Sequence, residues 1–133
     1  MTKEEMGKVL IDLQEKENFL REAGQAEYAH SEEEAFSNFM RVGQYLGVDR
    51  KKVLLVYMLK HIDGITAFVN GHESQREDIE GRILDARVYL ALLAGMVREE
   101  RAMTPRQRKE LKPKEHKKRL VESLKNDPHL NKE

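Results

Sequence analysis

Apolar residues recur at three- and four-residue spacing from the start of the chain, which is the period of a helix face and not of a strand. Met6, Val9, Leu10 and Leu13 share one face of a first helix, expected over about residues 2–22. Ala35, Phe36, Phe39, Val42, Gly43 and Leu46 face inward from a second, expected over about 32–46. Gly47 suits its C-terminus, where a left-handed residue closes the last turn. Asp49 is placed to cap a third helix, RKKVLLVYMLKHIDGITAFV, which Asn70-Gly71 stops. A fourth runs from about 75 to 100. Thr104-Pro105 reads as the cap and first position of another helix, and Pro113 divides the C-terminal segment. No window alternates with period two, so strands are not expected.

Three Ser/Thr residues precede a glutamate by three positions: Thr2/Glu5, Ser31/Glu34 and Ser74/Glu77. Each pair matches a capping box, in which two orphan amides of a helix start are satisfied reciprocally. The third and fourth helices are apolar almost all round over VLLVYML and YLALLAGMV. Such helices belong in the middle of a bundle or in a subunit interface. The pattern predicts an all-α, four-helix-type bundle over residues 1–103 that is at least a dimer.

Charge divides the chain unevenly although it sums to zero. Residues 1–100 carry 13 Lys/Arg against 19 Asp/Glu, and residues 101–133 carry 11 against 5. The first part is therefore −6 and the tail +6. This predicts a basic, helical C-terminal tail, residues 104–133, that meets nucleic acid or an acidic protein surface through residues 104–125. The tail has no interleaved aromatics, so base stacking there is not expected. Charged residues make up 36% of the chain and mean hydropathy is −0.73, and no apolar run approaches the roughly 20 residues that span a bilayer. No membrane association is expected. The acidic start MTKEEMGKVL argues against a secretory signal. With no cysteine, disulfides and thiolate chemistry are excluded, and a cytoplasmic location is expected.

Polar residues interrupt the apolar faces in a pattern of their own. At about 100° per residue, Asp78, Arg82, Asp85 and Tyr89 fall in one narrow sector of the fourth helix. Lys60 aligns with Val53, Tyr57 and Gly64 on the third, with His61 alongside. Glu34, Asn38 and Arg41 border the apolar face of the second. One reading is a structural network, Lys60 with Asp85 and Arg82 with Asp78 or Glu34, because buried charges must be paired. The other is a polar pocket between helices. There Lys60, Arg82 and Arg41 would meet phosphate, and Asn38 and Tyr89 a base or sugar. Carboxylates would hold Mg2+, which takes oxygen ligands. His61 and His72 lack metal-ligand spacing and read as surface histidines.

The segments YAHSEEEAFSNFMRVGQYLGV, VLLVYMLKHIDGI and EDIEGRILDARVYLALL, spanning about residues 28–98, resemble small phage and prophage helical proteins of the nucleotide modification associated domain family. Asp85 and Tyr89 look like the family's Asp-x-x-x-Tyr element. The resemblance implies a phage-type protein of the host cytoplasm linked to nucleotides. More distantly, the layout is similar to the all-α NTP pyrophosphatases of the MazG kind, which hold magnesium with two acidic pairs on neighbouring helices. By that likeness Glu77 and Glu80 form one pair, with Asp85 beyond it as a further metal ligand. The facing helix offers Lys60, His61 and Asp63 in place of a second Glu-x-x-Glu pair, with Glu33 and Glu34 as substitutes. This departure bears on hydrolysis more than on binding. The expected function is binding of a phosphorylated nucleotide between helices, for sequestration, phage nucleotide metabolism or counter-defence. The alternatives are a magnesium-dependent nucleotide pyrophosphohydrolase, and a protein- or DNA-binding adaptor that uses the tail.

Overall fold

Most helix starts among the described residues fall where a side chain can close an orphan amide. The computed structural model describes residues 1–28, 34–73, 76–113 and 125–126. Its element order is α1 (Lys3–Tyr28), α2 (Ser37–Leu46), α3 (Arg50–Val69), α4 (Ile79–Ala102) and α5 (Pro105–Leu111), with no strand among the described residues. Thr2 Oγ1 accepts from the Glu5 amide while the Glu5 carboxylate accepts from the Thr2 amide, completing one expected capping box. Ser31 and Ser74, which the other two boxes need, lie outside the described residues. Asp49 caps α3 as expected, and Thr104 caps α5 in a full box with Gln107 behind Pro105.

Two helix starts and one end differ from expectation. α2 begins at Ser37, five residues later than the pattern indicates, with Phe36 at the cap and the Phe36 amide donating to Glu34. α4 begins at Ile79 because the Asp78 side chain accepts from the Glu80 amide. Asp78 is thus spent on the cap and takes no part in pairing with Arg82. α1 continues six residues past the expected end at residue 22, through strong helix formers such as Ala23, Ala26 and Glu27.

The core lies at the crossing of α2, α3 and α4, where Phe39, Val53, Leu54 and Met96 pack with almost no exposure. α3 packs along α4, α2 lies on α3, and α1 lies on α4. The Glu17–Arg87 pair, with Arg87 Nη2 at 2.9 Å, fastens α1 to α4. No helix among the described residues is long and apolar enough to cross a membrane.

The α2–α3 turn is very tight. Gly47 adopts φ 70°, and the Val48 amide donates back to the Gly43 carbonyl. A Cβ at Gly43 would stand 2.7 Å from the Val48 carbonyl oxygen and 3.4 Å from the Arg50 amide nitrogen. Both are backbone atoms, so the turn itself would have to open. Gly43→Ala is therefore expected to lower stability by about 1–3 kcal/mol despite alanine's better helix propensity, as read by urea denaturation.

The cap of α3 is expected to make stability depend on pH. Burial works to raise the Asp49 carboxyl, but hydrogen bonds from the Lys51 amide (2.7 Å) and ammonium (3.1 Å) outweigh it and hold it below the ordinary range. A lowered native pKa means that the unfolded chain binds more protons, so this stabilisation is complete above about pH 4 and fades as pH falls through the native value. Asp49→Ala should cost about 1 kcal/mol at pH 7, and the difference from wild type should narrow in acid melts.

Candidate functional site

The line of buried residues on α3 decides which polar groups meet. Arg50, Leu54, Met58 and His61 follow one another at helical spacing, and all are buried. Lys60 is one residue away, a rotation of about 100°, and is exposed. Asp85 therefore meets His61, with Nδ1 and Oδ2 3.4 Å apart, in place of the expected Lys60 partner. His61 is 7% exposed, which corrects its reading as a surface histidine. Its Nδ1 is buried and has no hydrogen-bond partner among the described residues. The Tyr89 ring lies 5.7 Å from the imidazole, centroid to centroid, and stands edge-on to Phe39.

Glu77, just ahead of α4, completes a cluster. One donor atom from each of His61, Glu77 and Asp85 lies within 4.8 Å of the others. Burial pushes the Asp85 carboxyl above its ordinary range; the His61 charge opposes this and the Glu77 carboxylate adds to it. Glu80, expected beside Glu77 in a magnesium site, is exposed and does not join. The donor set is one imidazole and two carboxylates, which is not the all-oxygen set that magnesium prefers.

Asp85 also borders a cavity of about 360 Å³ between the C-terminal half of α1, the start of α2 and the middle of α4. Asn38, Phe39, Tyr89 and Leu92 line it from α2 and α4, and Arg21, Gly24 and Gln25 from α1. Of the six expected ligand contacts, Asn38, Asp85 and Tyr89 thus come together. Arg41 and Lys60 are exposed and outside this lining. Arg82 borders a second hollow with Phe68 and His72. It lies across Gly64, whose missing side chain makes the room, and its Nη1 is 3.7 Å from Glu77.

The α1 residues are not legible as site residues in the sequence, because the pattern there ends the helix before Gly24. His61 carries a usable signal, its place on the Leu54–Met58 line. Comparison with known families, with curated proteins and with solved structures finds no match for this chain.

Proposed function

We propose that the protein binds a phosphorylated nucleotide in the cavity between α1, α2 and α4. The observation that carries this reading is the convergence of Asn38, Asp85 and Tyr89 on one cavity of about 360 Å³, within the range of about 300–1,000 Å³ typical of small-ligand sites. Phe39 and Tyr89, with Leu20 and Leu92, supply walls against which a base stacks. The Asn38 amide nitrogen supplies donors for the edge of a base, while its Oδ1 accepts from the Phe39 amide and Gln25 Nε2 donates to the Glu34 carbonyl. Arg21 takes over the phosphate role expected of Lys60 and Arg41.

Binding is favoured over hydrolysis, because two-metal phosphate chemistry wants several converging carboxylates and the described cluster supplies two. The phage-like resemblance adds that binding serves to withdraw or hold a nucleotide in the host cytoplasm. Equilibrium dialysis of the full chain with nucleoside triphosphates tests this. One nucleotide per chain at micromolar affinity is expected, with inorganic triphosphate at least tenfold weaker. An absence of saturable binding at millimolar nucleotide, with and without divalent metal, would refute it.

The same reading includes a second copy of the chain. Leu55, Leu59 and Ile62 form a stripe on α3 and remain 44%, 47% and 38% exposed. We propose that a partner subunit covers them. Sedimentation at micromolar concentration is expected to show an oligomer, and Leu59→Glu a folded monomer. A monomeric wild type would contradict the proposal.

A further inference from the structure

We propose that His61, Glu77 and Asp85 form a binding site for one first-row transition-metal dication, with Zn2+ the best fit, and that magnesium is not its ion. The inference stands apart from the nucleotide reading, since no nucleotide atom enters it.

His61 is the telling residue. A buried imidazole nitrogen normally finds a hydrogen-bond partner, and Nδ1 of His61 has none among the described residues. A carboxylate oxygen of Asp85 lies 3.4 Å from it without making a hydrogen bond. In a tetrahedral site with metal–ligand distances of about 2.1 Å, donor atoms lie about 3.4 Å apart. The His61–Asp85 pair already has the spacing of two ligands of one ion. Glu77 is the third, and it has room to close on them. It precedes α4 instead of lying within it, its side chain is 41% exposed, and its ion pair to Arg82 is a long one. Packing of the Tyr89 ring against the imidazole holds the His61 plane in place.

The donors decide the class of ion. Imidazole with carboxylate suits zinc and its neighbours, whereas magnesium keeps its water and prefers oxygen. Three protein ligands leave a fourth position open. Because Asp85 lines the cavity as well, an ion held here lies beside the proposed ligand.

The test is titration of Zn2+ into the metal-free full-length chain without nucleotide, by calorimetry and by thermal melting. One equivalent per chain is expected, with a raised melting temperature and no competition from millimolar Mg2+. Glu77→Gln, a change at a half-exposed position ahead of the helix, should fold normally and weaken Zn2+ at least tenfold. His61→Gln should do the same, while His72→Gln should leave binding unchanged. Absence of saturable Zn2+ binding, binding unaltered in both Glu77→Gln and His61→Gln, or equal binding of Mg2+ would each overturn the proposal. Zinc binding in a protein that binds no nucleotide would sink the nucleotide reading alone.

Discussion

Arg50→Ala is expected to cost about 3 kcal/mol of stability, the largest loss at any charged position among the described residues. Arg50 is 5% exposed at the first turn of α3. Its Nη2 lies 2.6 Å from Glu99 and 3.3 Å from Glu100, both on the last turns of α4. Its guanidinium also stands 5.3 Å from the Phe36 ring at the start of α2. One side chain thus ties together the ends of three helices. Removing one partner of a buried ion pair leaves the other charge uncompensated, at about 3–5 kcal/mol. The lower end applies here, because Glu99 is 37% exposed and Glu100 keeps Lys51 at 2.7 Å. With total stabilities of about 5–15 kcal/mol, such a loss should move the urea midpoint substantially. A double change, Arg50→Met with Glu99→Met, should recover much of it, because an apolar pair of similar size needs no desolvation compensation. A loss below about 1 kcal/mol for Arg50→Ala would place the network among ordinary surface pairs.

That network illustrates what the sequence does and does not disclose. Local rules carry far where one residue decides a boundary. Asp49 capping α3, Gly47 ending α2 and Pro105 opening α5 are all legible. They fail where two candidates compete. Ser31/Glu34 suggests an earlier start for α2, but Glu34 closes the Phe36 amide and the helix begins at Ser37. Asp78 sits in line with Arg82 and Asp85 on a helical wheel, yet a cap is the use to which it is put.

The site is legible in outline only. Asp85 and Tyr89 stand out in the sequence because a carboxylate and a phenol interrupt an apolar helix. Their partners do not stand out, because partner choice depends on the rotation of α3. Lys60 and His61 are adjacent in sequence, and only the position of the buried line, through Leu54 and Met58, puts His61 against Asp85. Arg50 hides for the same reason: it is the first of three consecutive basic residues, Arg50-Lys51-Lys52, and its place at the head of that buried line is set by the rotation of the helix. Gly24 and Gln25 hide because the apolar pattern ends the helix before them, and Arg21 because a polar residue near that end looks solvated until a second element crosses it.

Gly24 offers the most direct test of the central claim, that the inter-helix cavity holds a ligand. It lines the cavity from within α1, and a Cβ built on it meets no atom within 4 Å. A helical side chain leans over the turn before it, here residues 20 and 21, which border the same cavity. Gly24→Leu should therefore fill the space the ligand needs without displacing protein atoms. Leucine is close to alanine in helix propensity and glycine is about 0.8–1.0 kcal/mol worse, so the variant should be at least as stable as wild type. Nucleotide affinity should fall at least 100-fold, about 2.7 kcal/mol. The decisive measurement is parallel nucleoside triphosphate titration and thermal melting of wild type and Gly24→Leu. The account predicts binding by wild type only, with the variant melting no lower. Equal nucleotide affinity in a folded Gly24→Leu variant would contradict it.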